Sequence, residues 1–68
     1  MTIDYAELFP HNGYWMVRYT SEPLKSKIIN AFGTNEIPIA STTACTFAEV
    51  VAILRPGNPN TAFVEASR

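Results

Sequence analysis

The chain has one cysteine and one histidine among 68 residues, and this shortage constrains its folding more than any other feature. One cysteine cannot form an internal disulfide, and a single cysteine and histidine are too few ligands for a structural zinc site. A chain this short buries only about 60% of the surface that its unfolded form exposes. Stability must therefore come from hydrophobic patterning, helped by a protein partner or by self-association. We interpret residues 1–68 as a single small globular domain.

Charge and composition narrow the classes of function. Lys and Arg total 5, Asp and Glu total 6, and the basic residues are scattered, which disfavours a nucleic-acid-binding protein. The first ten residues contain two acids and no basic residue, so they do not resemble a secretory signal. No apolar run approaches the roughly 20 residues of a membrane span. These features predict a cytoplasmic protein that does not bind membranes.

Residues 14–20, YWMVRYT, give the clearest strand signal because aromatic and β-branched residues alternate there. The alternation predicts that Trp15, Val17 and Tyr19 face the core. Residues 61–67 show a similar alternation and predict the last strand. Residues 36–42 contain Pro38, which cannot donate to a ladder, so they predict an edge strand or an extended connector.

Two segments show helical periodicity. In residues 22–32, Ser21 is the expected N-cap, Pro23 lies in the first turn, and Gly33 is the expected left-handed residue that ends the helix. The second helix, residues 47–55, begins after Thr46, which forms a capping-box pattern with Glu49. The apolar stripes of the two helices are Leu24, Ile28, Ala31 and Phe32 in the first, and Phe47, Val50, Val51 and Leu54 in the second.

For the N-terminal segment we predict neither a strand nor a long helix. Asp4 and Glu7 have the spacing of a capping box, which predicts a short helical turn over residues 5–9 that ends before Pro10. Asn12-Gly13 predicts a tight turn, because both residues tolerate positive φ.

The resulting order, β-α-β-α-β, predicts an α/β fold in the form of a small α+β-like two-layer domain. We expect about three strands, joined in parallel through right-handed crossovers, with both helices on one face. In the alternative arrangement only residues 14–20 and 61–66 pair, and residues 36–42 serve as a connector.

The helix start at residues 41–50, STTACTFAEV, is a candidate functional site. Thr43, Cys45 and Thr46 could hold an anion at the helix N-terminus, or the helix dipole could activate the Cys45 thiol. The simpler interpretation is that Thr46 and Glu49 cap the helix while Cys45 packs as a small apolar residue. His11 lies in a predicted turn, and a catalytic pairing with Cys45 depends on a proximity that the sequence does not define.

The acidic residues show no spacing typical of a metal site or of an acid–base pair, so we predict no metal and no cofactor. The apolar residues in excess of those that the predicted core uses are more informative than the acidic residues. Tyr14, Met16 and Phe63, with Arg18 at the rim, are predicted to lie on the side of the sheet away from the helices. That surface needs cover, either from residues 3–9 of the same chain or from a partner.

These observations favour a small cytosolic interaction or assembly module without catalytic activity, acting with a protein partner or as a homo-oligomer. Its candidate partner-binding residues are Tyr14, Met16, Arg18 and Phe63. The alternative is a minimal thiol-dependent or anion-binding activity around Cys45. A nucleic-acid adaptor ranks third, because the chain is slightly acidic.

Overall fold

The computed structural model describes residues 3–66. It contains four strands, two α-helices and one short 3-10 helix at Arg55–Gly57. The strands are β1 (Asp4–His11), β2 (Tyr14–Tyr19), β3 (Glu36–Ser41) and β4 (Thr61–Glu65). The helices are α1 (Leu24–Phe32), between β2 and β3, and α2 (Phe47–Leu54), between β3 and β4.

The four strands form one mixed sheet in the order β3-β2-β1-β4. β1 and β2 are an antiparallel hairpin, β2 and β3 are also antiparallel, and β1 and β4 run parallel. The chain is thus a small α+β domain, as the sequence predicts, with one more strand than expected. Parallel crossovers do not organise it, because only the β1–β4 pair is parallel.

The core lies between one face of the sheet and the two helices. Strands β1 and β2 turn alternate residues toward it, and the single fully buried helical residue among those described is Val50. Its buried members are Ala6, Leu8, Trp15, Val17, Tyr19 and Val50. The prediction that Trp15, Val17 and Tyr19 face the core is confirmed, and both helices pack on this one face.

The predicted N-terminal helical turn is wrong. Residues 4–11 form β1, a central strand, because Ala6 and Leu8 alternate with outward-facing residues and both are fully buried. Asn12 and Gly13 make the predicted turn, with φ of 51° and 82°, and that turn pairs β1 with β2. The strand is favoured over the helical turn, because only a strand places both Ala6 and Leu8 in the core. Pro10 lies beyond the last β1–β4 pair, so its missing N–H interrupts no ladder bond there.

The helix predictions are largely confirmed, with differences at α1. Gly33 is left-handed with φ of 79°, and its N–H donates to the Ile29 carbonyl at 2.8 Å. Ser21 is not the N-cap, because its hydroxyl accepts from the Tyr5 N–H at 2.9 Å and α1 begins after Pro23. Phe32 is exposed, because only the part of α1 that carries Leu24 and Ile28 reaches the core.

The outer strands also settle the two alternatives for the sheet. β3 joins the ladder as an edge strand, with an irregularity in its pairing near Pro38. β4 pairs with β1 rather than with β2, so the arrangement in which residues 14–20 and 61–66 are neighbours is wrong. Residue 67 of the predicted last strand lies outside the described residues.

Candidate protein-binding face

The strand registers divide the side chains of the sheet between two faces. One face carries Ala6, Leu8, Trp15 and Val17 and is covered by α1 and α2. Neither helix packs on the opposite face, which we call the helix-free face. Its members, taken from the pairing of β1 with β2 and β4 and of β2 with β3, are Tyr5, Glu7, Phe9, His11, Tyr14, Met16, Arg18, Glu36, Pro38, Ser41, Ala62 and Val64.

Arg18 lies at the centre of this face between two carboxylates on neighbouring strands. Its guanidinium is 3.0 Å from a carboxylate oxygen of Glu7 on β1 and 3.0 Å from one of Glu36 on β3. The register places Arg18 directly opposite both acids, which explains the geometry. All three side chains are partly exposed, so each pair stabilises the fold by only about 0.2–1 kcal/mol.

The same guanidinium also stacks on an aromatic ring. The central carbon of the Arg18 guanidinium lies 4.7 Å from the centroid of Phe9, which is within the range of a cation–π contact. Phe9 is only 1% exposed although neither helix covers this face. Phe9, Met16 and Pro38 occupy adjacent register positions beside the charged row. The apolar part of the face is therefore continuous with its ion pairs.

Large apolar side chains remain exposed around this centre. Tyr5 and Tyr14 are each more than half exposed and lie toward opposite ends of the face. Val64 on β4 is also exposed, next to Glu7 in the register. Tyrosine, methionine and arginine are the residue types enriched at protein interfaces.

Of the candidate partner-binding residues, the structure brings three together and separates the fourth. Tyr14, Met16 and Arg18 all lie on the helix-free face, on β2. Phe63 does not, because it pairs with Ala6 and packs against the core on the helix-covered side. The predicted location of Phe63 is wrong, because β4 lies beside β1 and the β1–β4 register decides which side chains of β4 point to each face. The guanidinium of Arg55 lies 5.1 Å from the Phe63 ring.

Of the two alternatives for covering the second face, cover by residues 3–9 of the same chain is wrong. From Asp4 onward these residues are part of the sheet, and Tyr5, Glu7 and Phe9 contribute to the face itself. The N-terminal segment therefore enlarges the apolar surface instead of covering it.

The helix start around Cys45 is arranged as a cap. The Thr46 hydroxyl accepts from the Glu49 N–H at 3.3 Å, and the Glu49 carboxylate accepts from the Thr46 N–H at 2.8 Å. Thr43 instead contacts Ser41, with their hydroxyl oxygens 2.8 Å apart. The carboxylate of Glu49 thus holds a position that a bound anion would need.

Cys45 itself is half-buried and packs against the core cluster. Its carbonyl accepts from the indole N–H of Trp15 at 2.9 Å. His11 is exposed, contacts Asn12, and belongs by register to the helix-free face. His11 and Cys45 therefore lie on opposite sides of the sheet, and the catalytic pairing has no geometric support.

Other features of residues 3–66 offer little chemistry. A shallow depression of about 300 Å³ is lined by Ile3 and residues 59–62, none of them ionisable. No group of three or more His, Cys, Asp or Glu side chains within this range is placed to hold a metal ion. Neither α1 nor α2 is long and apolar enough to cross a membrane.

Sequence reasoning missed the partners of Arg18. The sequence predicts a helix cap at Glu7, an edge strand or connector over residues 36–42, and residues 3–9 as one of two candidate covers for the second face. The available signal was the alternation of Ala6 and Leu8 with Tyr5, Glu7 and Phe9, which has the period of a strand. Given that strand and the Asn12-Gly13 turn, the pairing of Glu7 with Arg18 follows from the hairpin register.

Comparison with known proteins adds no relative: no protein-family model, curated protein or solved structure matches the chain.

Proposed function

We propose that the protein is a non-catalytic interaction module that binds a protein partner through its helix-free face. The observation that carries this proposal is the grouping of Tyr14, Met16 and Arg18 on a sheet face that neither helix covers. A partner seated there would bury exposed aromatic surface, which is favourable at about 25 cal/mol per Å² of apolar area.

The ion pairs make this face suitable for burial. Removing an unpaired charge from water is strongly unfavourable, and a buried charge is tolerated when it is paired and hydrogen-bonded. Arg18 already contacts Glu7 and Glu36, so a partner that covers the guanidinium need not supply an anion, and a basic group of the partner would balance the second carboxylate. The two tyrosines at the ends of the face then provide aromatic anchors whose hydroxyls remain available to a polar rim.

The decisive experiment compares capture of partners by immobilised wild-type protein and two single variants. Met16→Asp places a charge inside the helix-free face, whereas Ile53→Asp places one on an exposed apolar position of α2. We expect Met16→Asp to lose at least ten-fold in captured partner, while Ile53→Asp retains it. Quantitative mass spectrometry of the bound fraction, with circular dichroism as a check of folding, measures this difference.

Because Met16 is partly buried, Tyr14→Ser provides a second variant at a more exposed position. It should also reduce capture while leaving the fold unchanged. Equal capture by wild type, Tyr14→Ser and Ile53→Asp would contradict the proposal.

A further inference from the structure

The outer edge of β4 carries backbone groups that the sheet does not use. The Asp4 N–H donates to the Asn60 carbonyl and the Ala66 N–H donates to the Leu8 carbonyl. In a parallel ladder this pattern turns the even-numbered residues of β4 toward β1. The N–H and carbonyl groups of Phe63 and Glu65 therefore point away from the sheet.

The backbone groups of Thr61, the first residue of β4 that points outward, already have partners. The Thr61 N–H donates to the Asn58 carbonyl, and the Thr61 carbonyl accepts from the Arg55 guanidinium. Within residues 3–66, the outward backbone groups of Phe63 and Glu65 have no such partner, so these two residues form a short open segment of the edge. Such an edge is a template for pairing with another strand.

The opposite edge of the sheet is different. On β3, Pro38 lies opposite Met16 in the register, and its ring nitrogen has no hydrogen to donate at the outer side. Proline at an edge is one of the ways in which proteins block strand addition. Of the two edges, β4 is therefore the one open to pairing.

We propose that β4 pairs antiparallel with β4 of a second copy of this chain, with the two-fold axis at Val64. In this register Val64 lies opposite its counterpart, and Phe63 lies opposite Glu65 of the second copy. Because the outward groups of both strands are odd-numbered, this register forms four main-chain hydrogen bonds that use all the free groups of Phe63 and Glu65. The exposed Val64 side chains meet at the two-fold axis on the helix-free side.

Charge complementarity favours a second copy of this chain as the source of the strand that pairs with β4. Phe63 and Glu65 lie on the helix-covered side, and the Arg55 guanidinium sits 5.1 Å from the Phe63 ring. Side chains of a hydrogen-bonded antiparallel pair lie side by side, about 5.5 Å apart at Cα. Glu65 of the second copy would therefore approach Arg55, and the two-fold axis creates this ion pair twice. The net charge of −1 per chain does little to oppose the association.

The pairing would join two four-stranded sheets into one sheet of eight strands. It uses the edge of β4 rather than the centre of the helix-free face, with Val64 common to both surfaces, and would place two helix-free faces side by side. An interface of one short strand per copy is smaller than a standard protein–protein interface, so the dimer should dissociate on dilution.

Amide hydrogen exchange and sedimentation equilibrium, both measured over a range of concentrations, test the proposal. We expect the mass to rise from 7.5 kDa toward twice that value as concentration increases. Exchange of the Phe63 and Glu65 amides should slow at least ten-fold over the same range, because dimerisation gives both N–H groups acceptors. The Val64 amide, which bonds within the sheet, is the internal reference.

Glu65→Pro should abolish dimerisation, since it removes an outward N–H that no bond inside the sheet uses. Glu65→Gln is the matched control: it keeps the N–H and loses only the ion pair with Arg55, so it should weaken the dimer without eliminating it. A wild-type protein that stays monomeric, or a dimer in which the Phe63 and Glu65 amides exchange at the monomer rate, would overturn the proposal. Wild-type exchange decides the question even if Glu65→Pro fails to fold.

Discussion

At the residue scale, polar atoms inside the core find specific acceptors. The Trp15 indole bonds the Cys45 carbonyl, and its ring meets Phe47 edge-on at 6.2 Å between centroids. The Tyr19 hydroxyl donates to the Asn58 side-chain oxygen at 3.3 Å, and Asn58 in turn donates to the Leu54 carbonyl at 2.9 Å. These bonds tie β2 to the loop before α2 and to the end of α2. Among the described side chains, no buried polar atom lacks a partner.

Tyr19 gives the protein an alkaline sensitivity. Burial raises the pKa of Tyr19 above 10.0, because the phenolate would lose its hydration there. The folded state therefore favours the neutral phenol, and this contribution to stability is lost as the pH rises through the folded-state pKa. We expect Tyr19→Phe to reduce the fall in the free energy of unfolding above about pH 10. Urea titrations at several pH values measure the slope.

Tyr14→Phe is the matched control, because it removes a hydroxyl from an exposed ring. It shows whether the loss of a tyrosine hydroxyl by itself changes the slope. A Tyr19→Phe variant with an unchanged alkaline slope would contradict the assignment.

At the element scale, the start of α2 and the end of α1 were predictable, whereas the start of α1 was not. The capping box at Thr46 and Glu49 and the left-handed Gly33 both depend on residues within one turn, so their chemistry can be recognised without knowing the fold. β1 depends on distant neighbours instead. Its Asp4–Glu7 spacing suits a helix cap equally well, and only pairing with β2 and β4 decides for the strand.

The same distinction explains what could be predicted of the candidate site. Tyr14, Met16 and Arg18 share one face by strand alternation alone, a local rule. The face of the sheet on which Phe63 lies could not be predicted, because it depends on which strand pairs with β4. The ion-pair partners Glu7 and Glu36 depend on register across two strand pairs, which no short stretch of sequence defines.

Gly33 provides a test of the helix end. A Cβ at this position would meet no atom within 4 Å, so the effect of a substitution reports the backbone conformation alone. We expect Gly33→Val to lower the free energy of unfolding by about 1–2 kcal/mol, because a β-branched residue is strained at positive φ. Denaturant unfolding curves measure the loss. Gly33→Asn should lose less, since asparagine tolerates the left-handed region, and equal losses would argue against backbone strain as the cause.

At the scale of the whole molecule, the helix-covered side of the sheet holds most of the buried core, while apolar residues remain exposed elsewhere. Leu8 is fully buried on a central strand, whereas Phe32 at the end of α1 is 64% exposed. The stability lost when a side chain is truncated should therefore depend on how deeply that side chain is buried rather than on its size.

Leu8→Ala should lower the free energy of unfolding by about 2–5 kcal/mol, because the variant leaves a cavity in the core. For a chain of this size that loss is a large part of the total, so the variant should unfold at a markedly lower temperature and urea concentration than the wild type. Phe32→Ala removes a larger side chain and should change stability far less. Thermal and urea unfolding of both variants measure the contrast, and similar losses in the two would contradict the placement of the core.

The position of β1 between β2 and β4 has a consequence for how fast the chain folds. The β1–β2 hairpin closes through a two-residue turn and needs only local contacts. The β1–β4 pair joins residues at nearly opposite ends of the described chain, so it must overcome the entropy of closing a long loop before any bond in it forms. Such high contact order slows folding, and formation of this pair is the step expected to limit the rate. During synthesis, β1 has a free edge until residues 61–65 have emerged.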